Sequence, residues 1–264
     1  FTMASDEAPF MDYEVTLISG GEIQRVPNSL IAEFPLQIAV NGQVLVNLLC
    51  TPDHMEELVV GFLYSEGVIA SLADVLSLKV EKGKAEVRIK GQVKEREGLI
   101  PWLTTGCGQQ VVWQGERERN CLFERRISSQ VTVAAATIFD LMEELQRISV
   151  LYQKTRGVHG AALADIKEGI IIFREDVGRH NAVDKLSGGA LMRGLHTEDK
   201  LLFTTGRISS EILTKTARLK VPLLISRSVP TDYAVQLGEM LGITIVGFVR
   251  GKGLKVYTHE WRVN

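Results

Sequence analysis

The chain is short of several things, and each shortage narrows what it can be. Cysteine is scarce, with three in 264 residues, at positions 50, 107 and 121. They form neither an even framework nor a CxxC pair, which argues against a secreted disulfide scaffold and for free thiols in a reducing cytoplasm. Neither sign of charge is in excess, since 30 Lys and Arg stand against 32 Asp and Glu for a formal net charge of -2. Such a chain does not coat nucleic acid by bulk charge, and only a local basic site remains open to it. No apolar run is long enough to cross a bilayer, so neither a membrane nor a nucleic acid is expected as a partner. FTMASDEAPF has no basic start and no apolar core, so no secretory leader is expected there.

What is present is an ordinary globular composition, 45% hydrophobic and 23% charged, enough for one or two domains with real cores. The first hundred residues read as short strands and one helix. YEVTLI and EIQRV flank Ser19-Gly20-Gly21, and LQIAV and VLVNLL flank Asn41-Gly42, a strong hairpin signal. TPDHMEELVVGFLYSEG reads as a helix with Thr51 as N-cap and Pro52 at its first position. DVLSLKVE and KAEVRIKG suggest another hairpin, and the broken, charged pattern that follows suggests a linker or long functional loop.

The second half alternates strands with helices. AALAD, GIIIFRE, LLFTT, VPLLIS and ITIVGF are apolar runs, and the intervening segments have helical periodicity or caps, with Ile138, Leu141, Met142, Leu145 and Ile148 on one face of the first. Strands apolar throughout belong to a sheet covered on both faces. The expected fold is therefore α/β: a three-layer α/β/α sandwich over 129–264, preceded by a smaller α+β domain over 1–128.

Three stretches carry polar residues beyond the evident needs of such a fold. TRGVHGAALAD places His159 between glycines ahead of a buried strand. REDVGRHNAVDK gathers Arg174, Glu175, Asp176, Arg179, His180, Asn181, Asp184 and Lys185 at a strand-to-helix junction. TTGRISSE, with Arg207 and Ser209, is a second such junction. Ligands of open α/β sheets bind beyond the carboxyl ends of strands, where helix N-termini attract anions. Arg179, His180, Arg207 and Ser209 suit phosphate there, and GFVRGKG adds Arg250 and Lys252 on a glycine-rich turn. Each has a plainer reading: a loop-bonded histidine, solvated salt bridges, a simple hairpin turn.

The thiols differ in setting. Cys50 ends the apolar run VLVNLLC and reads as core, and Cys121 lies in the charged NCLFERR. Cys107, in LTTGCGQQVVW, sits between two glycines that leave its sulfur accessible and let backbone N–H groups approach, favouring the reactive thiolate.

EFPLQIAVNGQ, TPDHMEELVVGFLYSEG, VHGAAL, REDVGRHNAVDK, TTGRISSEILTK, PTDYAVQLGEMLG and GFVRGKGLKVYTH are long motifs. On them the chain, from about residue 30 to its C-terminus, resembles the formate dehydrogenase accessory sulfurtransferase family, FdhD. The resemblance implies a cytoplasmic enzyme that takes sulfur from a cysteine desulfurase as a cysteine persulfide. It would pass that sulfur to the molybdenum bis(guanine dinucleotide) cofactor of formate dehydrogenase, a bound substrate rather than a permanent group. It also implies a homodimer and a C-terminal domain like the cytidine-deaminase fold. By the resemblance Cys107 carries the persulfide, and Phe248, Val249, Arg250, Gly251, Lys252 and Gly253 lie in the cofactor-binding stretch. Family members commonly show CGxC where this chain has Gln110 in place of the second cysteine, and one thiol suffices for a relay.

Two other readings stand beside this one. A zinc deaminase needs a glutamate after its histidine and a downstream CxxC; VHGAAL and the rest of the chain supply neither, and no metal is expected. A chaperone that holds the molybdenum cofactor without transferring sulfur is the stronger rival, and Gln110 is its best support.

Overall fold

The computed structural model describes residues 8–91 and 126–264. The chain opens with a two-stranded ribbon, β1 (Phe10–Ser19) and β2 (Glu22–Ile31). β3 (Phe34–Val40) and β4 (Gln43–Cys50) follow, joined at Asn41 and Gly42, which both take positive φ (50° and 85°) as a tight hairpin requires. After α1 (Met55–Ser65), β5 (Val75–Glu81) and β6 (Lys84–Ile89) complete a four-stranded sheet in the order β4-β3-β6-β5. β3 runs parallel to β6, so the two hairpins join into one sheet. Leu58, Val59 and Leu63 of α1 bury themselves against Leu36, Ile38 and Val87 of that sheet.

The start of α1 differs from the expectation. Thr51 does not cap it, and Pro52 does not open it. The Thr51 amide donates to Asp176 and its hydroxyl accepts from the Val177 amide, both at 3.0 Å. With Thr51 committed to this long-range contact, the helix begins at Met55, after His54 in a left-handed conformation (φ 46°).

The second half comprises α2 (Ala135–Ile148), α3 (Val150–Thr155), β7 (His159–Asp165), β8 (Gly169–Asp176), α4 (Arg179–Met192), β9 (Leu201–Thr204), α5 (Ser210–Arg218), β10 (Leu223–Ser226), α6 (Asp232–Leu241), β11 (Thr244–Arg250) and β12 (Gly253–Val256). Its six-stranded sheet has the order β12-β11-β10-β9-β7-β8. The central strands β9, β10 and β11 are parallel; β7, β8 and β12 run antiparallel to their neighbours.

Alternate residues of each strand feed opposite faces. Leu163, Leu202, Leu224 and Ile245 pack with Val183, Leu186, Ile212, Leu213 and Leu237 of α4, α5 and α6. Ala162, Phe203, Ile225 and Val246 pack on the other face with Ile138, Leu141, Met142 and Leu145 of α2. Helices thus cover both faces of the sheet, as uniformly apolar strands demand. Cys50 is fully buried; burial, with Asp176 adding to it, pushes its thiol up to about 12, so it is an inert core group. Among the described residues no helix is long and apolar enough to cross a membrane.

Candidate functional site at the carboxyl edge of the sheet

The strand-end segments meet along one edge. β9, β10 and β11 end there, and β7, antiparallel to β9, begins there with His159. The loops after these strands are bonded in sequence across the edge. The Thr205 amide donates to Gly160 O, and the Gly160 amide to Thr205 Oγ1, both at 3.0 Å. Ser226 Oγ donates to Gly206 O at 2.6 Å and the Arg227 amide to Thr204 O at 3.3 Å. The Phe248 amide donates to Ser228 O at 2.7 Å, and Arg250 Nε to Arg227 O at 3.2 Å. These contacts make a continuous rim from β7 to β11.

His159, Arg179 and His180 gather at one end of this rim. His159 Nδ1 lies 3.4 Å from Thr205 Oγ1. Burial, with Arg179 and His180 nearby, holds the His159 imidazole below its usual range and so favours its neutral form. His180, buried in the first turn of α4, places Nε2 2.9 Å from Glu211 Oε2. Burial opposes the charge of Glu211, but the contact with His180, reinforced by Lys215 and Arg179, outweighs it and keeps that carboxyl below its ordinary value. The Arg179 side chain packs across Gly206, where even a Cβ would come within 2.9 Å of it.

Arg207 is exposed on the loop after β9. Ser209 caps α5, its side chain accepting from the Ile212 amide, so its hydroxyl is already committed to the helix. The β11–β12 turn occupies the other end of the rim. Arg250 pairs with Gly253, leaving Gly251 and Lys252 at the tip, with Gly251 at φ 57°. A register shift between Gly247 and Arg250 accompanies a φ of 57° at Phe248, a conformation rare for an aromatic residue, and the residue is 41% exposed. The guanidinium of Arg250 and the ammonium of Lys255 approach this ring to 5.1 and 5.4 Å of its centre. Val249 alternates inward and is buried beneath α2. Phe248 thus combines a strained backbone, an exposed side chain and flanking cations.

The junction at 174–185 is mostly something else. Arg174 is held by both oxygens of Glu57, and Glu175 accepts from the Leu151 and Tyr152 amides at the start of α3. Fully buried Lys185 binds Asp176 at 2.8 Å, Asp53, and Thr51 O at 3.0 Å. Asp184 pairs with Lys215 at 2.6 Å and accepts from Ser65 Oγ. Asn181 donates to Leu49 O and to Asp176. Five of the eight polar residues at this junction therefore join the N-terminal layer to the sandwich, and Glu175 anchors the start of α3. Only Arg179 and His180 belong to the rim. Most charges that look like a site in one dimension are engaged by partners more than a hundred residues away.

Two rim residues escaped the sequence reading. Arg227 follows β10 as Arg207 follows β9, and the same strand-end logic finds it in LISRSVP. Glu211 sits in the first turn of α5, where an acid is read simply as a helix-dipole partner. Cys107, Gln110 and Cys121 lie outside the described residues.

This architecture has relatives. The family model for FdhD/NarQ matches residues 31–264. The "Sulfur carrier protein FdhD" of Bacillus subtilis is 38% identical over 253 residues, covering 92% of this chain and 93% of that protein. The protein of the same name from Staphylococcus aureus (strain MRSA252) is 36% identical over 261 residues, covering 97% and 95%. The crystal structure of a protein assigned as a formate dehydrogenase accessory protein, from Desulfotalea psychrophila, superposes with a TM-score of 0.79 at 26% identity, covering 97% of this chain and all of that one. The chain belongs to the FdhD/NarQ family.

Proposed function

We propose that this protein is a sulfur carrier that supports formate dehydrogenase maturation, with Cys107 as the carrying thiol. A cysteine desulfurase loads sulfane sulfur onto Cys107 as a persulfide. The protein then transfers that sulfur to the molybdenum bis(guanine dinucleotide) cofactor, bound as substrate at the carboxyl edge of a sandwich of the cytidine-deaminase kind. The reading places the work in the cytoplasm and in a homodimer.

The observation that carries this reading is the rim itself. The family's relatives are named for sulfur carriage, and this chain presents Arg207, Arg227, Arg250 and Lys252 on loops at one sheet edge. None of these four side chains forms an ion pair among the described residues. A dinucleotide carries a pyrophosphate, and arginines with backbone N–H groups at strand ends are suited to it. The strained, exposed Phe248 ring offers a base a stacking face.

Chemically, a persulfide forms when the Cys107 thiolate takes the outer sulfur of the donor's persulfide, and the donor leaves as its thiolate. No net oxidant is required, because the sulfane sulfur is passed on at the same oxidation level. Incubation with a cysteine desulfurase and cysteine, followed by site-mapped mass analysis, tests the assignment. A 32 Da gain (roughly one sulfur atom) on Cys107, absent from Cys107→Ser, is expected. Loading on Cys50 or Cys121 alone would refute the assignment of the carrier.

A further inference from the structure

The ribbon β1–β2 stands apart from the rest of the fold. Among the described residues its two strands pair only with each other, in unbroken register from Phe10↔Ile31 to Ser19↔Glu22. Its root is fixed to the body. Lys154 Nζ of α3 sits 3.5 Å from the centre of the Phe10 ring, and a Cβ on Gly157 would lie 2.8 Å from Ile31 Cγ2. Its tip is open: a Cβ on Gly20 or Gly21 would have nothing beyond its chain neighbours within 4 Å among the described residues. A two-stranded hairpin alone in water is marginally stable at best, so a ribbon projecting in this way needs a surface to lie on.

The register sorts the side chains onto two unlike faces. One face holds Met11, Tyr13, Val15, Leu17, Val26 and Leu30, and it carries no charge short of Glu22 at the turn. Met11, Tyr13, Leu17 and Leu30 are 43–60% exposed. The other face holds Asp12, Glu14 and Arg25, whose charges are met within the ribbon. Asp12 accepts from Ser29 Oγ, and Glu14 pairs with Arg25 at 3.9 Å. Phe10 and Ile31, which seat the root against the body, belong to this polar face. The apolar face is therefore the one turned from the chain's own body, the reverse of a ribbon packed on its own subunit.

The occupant follows from charge and area. A face without charge does not steer toward an acidic or basic partner, and it brings no like charges together across a symmetry axis. Ten paired residues make a ribbon about 34 Å long and ~10 Å wide, or ~340 Å² on one face. Laid once on a foreign protein, that face would bury less than half of the ~800 Å² per partner of a standard interface. A twofold axis makes the contact twice, because each copy extends its own arm and receives the other, and ~700 Å² per copy approaches that size. Ile18 and Ile23, 69% and 71% exposed near the tip, add to it.

We propose that β1–β2 is an exchange arm, its apolar face laid on a second copy of this chain across a twofold axis. The inference rests on the homodimer reading given under Proposed function and adds the surface that makes the dimer.

The test is analytical ultracentrifugation of the full chain. It compares native protein with the triple variant Met11→Glu, Leu17→Glu, Leu30→Glu, and with Thr16→Glu as a control on the polar face. Native protein and the control should sediment as dimers. The triple variant should sediment as a monomer with native circular dichroism, its dissociation constant raised at least about hundredfold, because three carboxylates would have to enter an apolar contact. Hydrogen exchange on native protein gives a second reading that needs no variant. The β1–β2 amides should lose protection on dilution from dimer to monomer, while those of β9, β10 and β11 keep theirs. Equal ribbon protection in dimer and monomer, or a triple variant that dimerises as the native chain does, would overturn the arm and leave the homodimer standing. Native protein that stays monomeric would overturn the homodimer reading and the arm with it.

Discussion

Gly61 of α1 and Gly188 of α4 meet backbone to backbone. A Cβ on Gly61 would lie 1.8 Å from Asp184 O, and one on Gly188 would lie 1.8 Å from Glu57 O. The N-terminal layer is thus pressed onto the sandwich as closely as two helices can approach. The ion pairs Glu57–Arg174, Asp53–Lys185 and Asp184–Lys215 hold the surrounding elements.

Gly188→Ala follows from that contact. In an open helix the change would stabilise by up to about 1 kcal/mol, since glycine is the poorer helix former. Here the added methyl has backbone rather than a pliable side chain in its way, so the helices must separate and the sign reverses. Denaturant unfolding should show a loss of at least ~2 kcal/mol, the range for overpacked interiors. Unchanged stability would mean that the helices are not in backbone contact.

Asp165 gives a pH dependence. It accepts from Lys200 Nζ at 2.8 Å and from the amides of Lys167 and Glu168. The Lys200 bond first, then the Lys167 amide, hold its carboxyl down at about 2. A depressed carboxylate stabilises the fold above its unfolded value, near ~4, and that contribution is lost as pH falls toward the folded value. Solvent at this turn limits the effect to about 1 kcal/mol. Native protein should exceed Asp165→Asn in stability by a constant amount from neutral pH down to ~5; the gap should be about half gone at ~3 and should close only below the folded value of about 2, by ~1. A gap that persists at the acid end would remove the carboxylate as its cause.

His159 offers a check on the rim's electrostatics. Burial, Arg179 and His180 all disfavour its charged form. Its ring protons, followed by NMR, should titrate below the ordinary histidine value of about 6.5. Arg179→Met should raise that midpoint, because one nearby positive charge is gone while burial remains. No response would separate Arg179 from His159 and break the cluster at this end of the rim.

Much of this fold is legible in the sequence because it depends on local signals. Asn41-Gly42 makes a hairpin wherever it stands between strands, and Gly242 ends α6 with a left-handed φ of 72°. The strand-end rule also finds the rim, since Arg207 and Arg250 follow apolar strands whose parallel packing brings their ends together. What escapes is what depends on distant partners. Nothing around Lys185 announces that Asp53 will meet it, and nothing in TPDH announces that Thr51 will serve Val177 instead of its own helix.

The β11–β12 turn carries the last prediction. Arg250 and Lys252 are exposed, lie two residues apart on a glycine-flanked turn, and pair with no carboxylate among the described residues. Charge-assisted contacts to phosphate are worth roughly 1.5–3 kcal/mol each when shielded from water and less at an exposed rim. Replacing both by alanine should therefore weaken GDP binding by at least about tenfold, or ~1.4 kcal/mol. The phosphates are common to all nucleoside diphosphates, so the loss should be the same factor for GDP and ADP, unlike a change at the base edge. Persulfide loading on Cys107 should continue, because the sulfur donor has no need of the nucleotide turn. Calorimetry on native and doubly substituted protein supplies the first comparison and mass analysis the second. Equal affinity in the two proteins would remove this turn as a phosphate site. A loss confined to GDP would move Arg250 from the phosphates to the base.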